Sequence, residues 1–294
     1  MNVLVTGANG QLGREIRNAS AGCGHPFIFT DVSQIPDHET VYLDITNTDA
    51  VSIICESEDV DVIVNCAAYT DVEKAESDLT FADLLNHVAP ANLAEVACAR
   101  GATLIHVSTD YVFDGESNVP YKEDDAPSPL GAYGMTKFAG ERSVVSSGCK
   151  YMIFRTAWLY SPYGKNFVKT MAALTESNST LKVVFDQVGT PTYAADLAAL
   201  IVRIITKGML DKTGIYHFTD EGVISWYDLA VAVNKLSGHG CHISPCHTDE
   251  FPTKARRPKY SVLDKSLVKN TFGVTIPYWT DSLEACIRRL YHEN

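Results

Sequence analysis

Tyr133 and Lys137 stand four residues apart in GAYGMTKFAGERSVVS, a spacing that puts a phenol and an ammonium on one face of a helix. An unperturbed phenol titrates near ~10 and gives up its proton poorly at neutral pH unless a nearby cation stabilises the phenolate. The spacing makes Lys137 a candidate for that cation and Tyr133 a candidate proton donor. A lone Tyr-x-x-x-Lys more often marks only a helix start and a solvated lysine, so its meaning depends on what the rest of the chain brings to it. Upstream, STDYVFDG closes an apolar strand with Thr109 and Asp110. A hydroxyl at a strand end can hydrogen-bond a substrate carbonyl, and consecutive strand and helix would bring Thr109 and Tyr133 to one edge of a sheet.

The elements that must position these groups begin at the amino terminus. Residues 2–6 read as a strand, GANGQLG as a turn, 11–19 as a helix and 27–31 as a second strand. In this βαβ opening Gly7, Gly10 and Gly13 allow a tight turn, close approach of the backbone to a pyrophosphate, and packing of the helix on the sheet. The helix start, with Gln11 and Leu12, offers unpaired N–H groups to phosphate. Asp31 ends the second strand, where a carboxylate accepts from a ribose diol and repels a 2′-phosphate, which favours NADH. Asp44, followed by Ile45 in VYLDITN, either accepts from the adenine amino group, which makes both candidate cofactor-binding residues, or marks only a turn. Ala67, Ala68 and Tyr69 follow a buried strand, where small residues let the backbone run past a cofactor. A helix is expected over 80–100, kinked or interrupted at Pro90. The acidic, proline-bearing YKEDDAPSPLG reads as a surface flap.

In the last third, strands are expected at 151–156, 182–185 and 214–218, and a buried helix in GTPTYAADLAALIVRII. Ser225 opens another helix with Asp228 in the capping-box position. Trp158 follows the first of these strands as either a core aromatic or a ligand contact. Arg256 and Arg257 are the best candidates for a diphosphate, since guanidinium groups bind phosphate bidentately.

Composition narrows the partners. With 46% hydrophobic and 20% charged residues, and no apolar run of membrane-spanning length, a soluble protein is expected with no membrane partner. The opening MNVLVTG lacks a basic leader, so a cytoplasmic location is expected. A formal charge of -12 argues against nucleic acid. The eight cysteines are scattered, as for reduced thiols used in a core. Cys241, His242, Cys246 and His247 lie close together, but adjacent Cys-His pairs point apart and the spacing matches no common finger. A surface loop without metal is expected there.

Together the glycine turn, NCAAYTDVEKAE, STDYVFDG and Tyr133-x-x-x-Lys137 resemble the extended short-chain dehydrogenase/reductase family. RTAWLYSPYGKNFV, DQVGTPTYAADLA, GVISWYDLA and ARRPKYSVLD carry the resemblance over nearly the whole length, toward its nucleotide-sugar reductases. It implies an α/β fold: a Rossmann-type doubly wound parallel sheet (1–157 with 182–218) and a smaller C-terminal α/β substrate-binding domain (158–181 with 219–294). It further implies NADPH or NADH as cofactor, a dTDP-sugar as substrate, reduction of its C4 ketone, and contact between Trp158 and the sugar. Tyr133 would donate the proton, Lys137 would lower the phenol pKa and hold the nicotinamide ribose, and Thr109 would polarise the ketone. Some relatives form dimers bridged by magnesium through glutamates. Glu15 matches one such position but Ala195 stands at another, so no metal is expected, in a monomer or a homodimer. Two rivals share the resemblance: a nucleotide-sugar epimerase or dehydratase that recycles its cofactor, and a non-catalytic regulatory subunit like the partner of methionine adenosyltransferase.

Overall fold

The computed structural model describes residues 1–36 and 38–292, His292 by its backbone alone. Six strands, β1 (Asn2–Thr6), β2 (Phe27–Asp31), β3 (Val41–Tyr42), β4 (Val60–Asn65), β5 (Thr103–Thr109) and β6 (Lys150–Thr156), join Gly214–His217 in one sheet. Its order is Gly214–His217, β6, β5, β4, β1, β2, β3, and every pair is parallel. The chain winds from β1 toward β3, then returns to β4 and proceeds the other way. The reversal leaves a crevice at the carboxyl ends of β1 and β4, where ligands of such sheets bind.

Both faces of the sheet are covered, and the central strands are correspondingly apolar on both sides. Val3, Val5, Val62 and Val64 pack under α1 (Gln11–Ser20) and the helix Ala194–Thr206. Leu4, Ile63 and Leu104 pack under Thr48–Ser57 and Ala89–Arg100. One polar rung crosses this core. Thr6 Oγ1 donates to Asn65 Oδ1 at 2.7 Å, and Asn65 Nδ2 meets His106 Nδ1 at 3.0 Å, which fixes the strand ends below the crevice.

The helix expected over 80–100 is interrupted. Leu79–Asp83 runs into a π-helical turn, Leu84–Val88, before Ala89–Arg100 continues. Pro90 has no N–H to give Asn86, four residues back. The carbonyl of Asn86 abuts Gly140 on the helix Ala132–Ser146, where a Cβ would collide with it.

The smaller lobe has its own core, built on the helices Phe167–Ser177, Trp226–Leu236 and Trp279–His292. The expected capping box is present: Ser225 Oγ accepts from Asp228 N at 3.1 Å, and Asp228 Oδ2 accepts from Ser225 N at 2.9 Å. The strand Thr180–Val184 pairs with His242–Cys246 in this lobe, so the cysteine-histidine segment is a strand and not the surface loop expected. Pro245 disguises it in the sequence. Cys241, Ile243 and Cys246 are buried while His242 and His247 are exposed, and no metal-binding group of His, Cys, Asp or Glu occurs among the described residues.

Candidate active site

A cavity of about 650 Å³ opens at the crevice between the lobes. The glycine turn forms its floor. Gly7 has φ +63°, and a Cβ there would lie 2.6 Å from Ala67 N, so only glycine lets β1 turn this close to the end of β4. Gly10 caps α1 from extended backbone. Gly7, Gly10, Gln11, Leu12, Ala67 and Ala68 line the cavity. Gly13 does not. It sits behind the turn, where a Cβ would strike Gly7 O and Ala8, so it seats the helix. Tyr69, expected beside the cofactor, is also absent from the lining; its ring packs with Ala75, Ala82 and Ala132 and edge-on to Phe81.

Asp31, Asp44 and Ile45 line the other rim. Asp31 is already engaged, accepting from Asn9 N at 3.0 Å and from Ser33 N and Oγ at 2.9 and 2.8 Å. A cation absent from the local sequence also approaches. Arg17, stacked on Phe29, donates to Thr40, whose hydroxyl bonds Asn9 Oδ1 at 3.1 Å.

Tyr133 and Lys137 lie in the first two turns of Ala132–Ser146 and both face the cavity. Burial pushes the Tyr133 phenol up to about 12, opposed by a hydrogen bond with Thr109. The expectation that Lys137 depresses the phenol is not realised here: its ammonium donates to the Val107 carbonyl at 2.6 Å. Burial brings Lys137 itself down to about 8, opposed by the charge of Glu141. Thr109 ends β5, donates to Asp110 Oδ1 at 3.0 Å and accepts from Tyr111 N at 3.2 Å. Asp110 is buried, which lifts it to about 6 against hydrogen bonds from Ser261 and Thr109. Tyr111, which the sequence reading passed over, meets the Tyr133 ring edge-on at 5.5 Å.

The smaller lobe supplies the opposite wall. Trp158 has φ +49°, a strained conformation for a large L-residue. Its ring stacks on Trp226 at 3.6 Å and 13°, and Gly189 leaves room for it, since a Cβ there would lie 2.8 Å from the indole. Trp226 was not anticipated; it opens a helix 68 residues later, and only the fold joins the two rings. The arginines part company. Arg257 lines the cavity and pairs with Glu73 at 3.1 Å, whereas Arg256 is exposed beside Glu116 and reaches no part of the lining. Gly164 and Lys165 complete the wall, and Asn166 Nδ2 donates to Gln11 Oε1 at 2.9 Å, tying this lobe to the glycine turn.

Glu15, one turn beyond Gln11 on α1, is buried and accepts from Arg289 Nη1 at 2.9 and 3.0 Å. Arg289 also donates to the hydroxyls of Tyr163 and Tyr193.

A doubly wound parallel sheet with a glycine turn at its switch point and a Tyr-Lys pair in the crevice defines a Rossmann-type protein of short-chain dehydrogenase/reductase architecture. The family model of the RmlD substrate binding domain matches residues 1–292. The chain belongs to that family. It is similar to a dTDP-4-dehydrorhamnose reductase of Aggregatibacter actinomycetemcomitans, 39% identical over 292 residues that span 96% of this chain and 97% of the relative. A solved dTDP-4-dehydrorhamnose reductase from Clostridium acetobutylicum is 45% identical, with 99% of each chain covered and a TM-score of 0.91. Another, from Bacillus anthracis in complex with NADP, is 35% identical over 100% of this chain and 99% of the other, with a TM-score of 0.90.

Proposed function

We propose that this chain reduces the C4 ketone of dTDP-4-dehydro-6-deoxy-L-mannose to dTDP-L-rhamnose with NADPH or NADH. The observation that carries the reading is one cavity with the glycine turn on its floor, Thr109, Tyr133 and Lys137 at its centre, and Trp158 with Arg257 opposite. Full-length similarity to reductases of that name supports it. The dinucleotide fits: Gly7 and Gly10 line the cavity without side chains, and the amino end of α1 faces it. When bound, the reduced nicotinamide supplies a hydride to the ketone carbon.

The chain's own residues supply the rest. Tyr133 gives its phenol proton to the ketone oxygen; a pKa near 12 keeps that proton in place until negative charge develops on the substrate. Thr109, bonded to the phenol, polarises the ketone. Lys137 is charged through the neutral range and is placed to hold the nicotinamide ribose and steady the phenolate. Trp158, backed by Trp226, packs against the sugar, Asp110 accepts from it, and Arg257 exchanges Glu73 for the diphosphate. A solved relative carries NADP and Asp31 is already engaged by Asn9 and Ser33, which supports use of both cofactors. The lobes divide the work as dinucleotide-binding (1–157 with 182–218) and nucleotide-sugar-binding (158–181 with 219–294), except that 182–184 pair within the second. No described helix is long and apolar enough to cross a membrane. The buried Glu15–Arg289 pair supports a monomer or homodimer without a metal bridge.

The test is consumption of NADH and NADPH with the dTDP-ketosugar beside its UDP and GDP counterparts. Net cofactor oxidation is expected with the dTDP compound. Tyr133→Phe is expected to lower turnover by about a thousandfold while binding cofactor normally. An epimerase or dehydratase would recycle its cofactor, and a regulatory subunit would co-purify with a larger enzyme and oxidise none; either result, or near-normal turnover in Tyr133→Phe, overturns the reading.

A further inference from the structure

The glycine turn GANGQLG brings backbone N–H groups to a pyrophosphate but carries no cation of its own. Among the described residues, three cations line the cavity: Lys137, Lys165 and Arg257. Lys137 donates to the Val107 carbonyl and Arg257 pairs with Glu73. Lys165 is exposed and makes no ion pair with any described residue.

The place of Lys165 is set by the loop 161–166, which comes from the smaller lobe and lies along one stripe of α1. Gln11, Arg14 and Asn18 stand at helical spacing on that stripe, and each meets the loop. Ser161 Oγ and Asn166 Nδ2 donate to Gln11 Oε1 at 3.3 and 2.9 Å. The Arg14 guanidinium lies 3.7 Å over the Tyr163 ring, and Asn18 Nδ2 donates to the Tyr163 hydroxyl at 3.1 Å. Gly164, at φ +61°, passes so close that a Cβ there would lie 3.2 Å from Gln11 Cγ. Lys165 therefore follows beside the first residue of α1.

These hydrogen bonds have a direction. Asn166 caps the helix Phe167–Ser177, its Oδ1 accepting from Lys169 N at 3.0 Å. Nδ2 is then the end that faces Gln11, and it can only donate. Gln11 must answer with Oε1, which takes its second bond from Ser161. The Gln11 Nε2 donor makes no hydrogen bond among the described residues and belongs to a side chain that lines the cavity. A carboxamide donor and an ammonium thus stand at the helix end where a phosphate binds.

We infer that the loop 161–166 is a working part of the dinucleotide site: Lys165 pairs with the cofactor's pyrophosphate, and Asn166 turns the Gln11 amide so that Nε2 donates to the same group. Lys165 is a binding residue. Asn166 is a positioning residue, since it lines no part of the cavity. The two lobes are thereby coupled, because a dinucleotide seated on the sheet holds the smaller lobe against α1. The inference rests on the dinucleotide half of the reductase reading and not on the identity of the sugar.

Equilibrium binding of NADH and NADPH, followed by nicotinamide fluorescence, tests it without turnover. Lys165→Met keeps the stem and removes the charge. Its Kd is expected to rise about five- to tenfold for both cofactors, and by less as salt is added, while dTDP binds within about twofold of wild type by calorimetry. A loss confined to NADPH would move the lysine to the 2′-phosphate, a loss confined to dTDP would move it to the nucleotide-sugar, and no loss would leave it solvated; each overturns the inference. Asn166→Ser retains an oxygen for the helix cap but not the donor to Gln11. It should weaken both cofactors about threefold, and add nothing where Gln11→Ala is already present. Additive losses in that cycle would mean that Asn166 only supports the fold, which overturns its positioning role. Failure to reduce the dTDP-ketosugar overturns the reductase reading alone, whereas failure to bind either dinucleotide overturns both.

Discussion

The cofactor end and the sugar end of the cavity are built in different ways. At the cofactor end, most contacts lie within one βαβ unit, where Gly13 packs on Gly7 and Ala8 and Asp31 caps Asn9 and Ser33, and Ala67 after β4 closes over Gly7 from outside it. At the sugar end, each contact joins distant parts of the chain. Trp158 needs Trp226 and the gap at Gly189, and Arg257 needs Glu73. The first end is rigid backbone that tolerates no added atom. The second is a set of side chains free to exchange partners, which suits a surface that must accept and release a large substrate.

That contrast can be broken at either end. Gly7→Ala should have the largest effect, because its added carbon meets backbone at a left-handed φ. Cofactor affinity, followed by nicotinamide fluorescence, is expected to fall about a hundredfold, with about 1–3 kcal/mol lost from stability in a denaturant melt. Binding within a factor of two of wild type would mean the turn is as adaptable as the sugar end. Arg257→Gln should raise the KM for the nucleotide-sugar about tenfold, the value of one charged hydrogen bond, whereas Arg256→Gln should leave it within about twofold. Equal effects would show that the surface arginine swings into the cavity. Asp31→Ala should act least, improving the NADPH-to-NADH ratio of kcat/KM by about three- to tenfold. A fall in that ratio would show that Asp31 serves the 2′-phosphate through its turn.

The same contrast explains what could be read from the linear chain. The glycine turn, the strands and the Tyr133–Lys137 helix are local, and their periodicity and spacing are visible within a few residues. Trp226 was missed because it joins the site from another element and no sequence interval records the encounter, whereas Tyr111, beside Asp110, was simply passed over. Tyr69 and Arg256 were over-read because neighbours in sequence were treated as neighbours in the site. Alternation turns Tyr69 away from Ala68, and Arg256 faces solvent beside an inward Arg257. The strand His242–Cys246 escaped notice because Pro245 sits in it at an edge, where its missing N–H is harmless. The electrostatics were the least legible part. Spacing suggests that Lys137 acts on Tyr133, while in the fold its ammonium turns to the Val107 carbonyl and burial lowers its own pKa, and burial cannot be read from spacing.

The helix Ala194–Thr206 closes the face of the sheet that α1 leaves open, with Leu197, Ile201, Ile204 and Ile205 buried against the strands. During synthesis, β1 to β6 are complete by Thr156, some forty residues before that helix begins. A ribosome therefore carries a nascent sheet with one greasy side uncovered, and the edge strand Gly214–His217 arrives later still. The catalytic helix is finished early, but the protein that holds it stays dependent on shelter from aggregation until the second lobe is partly made.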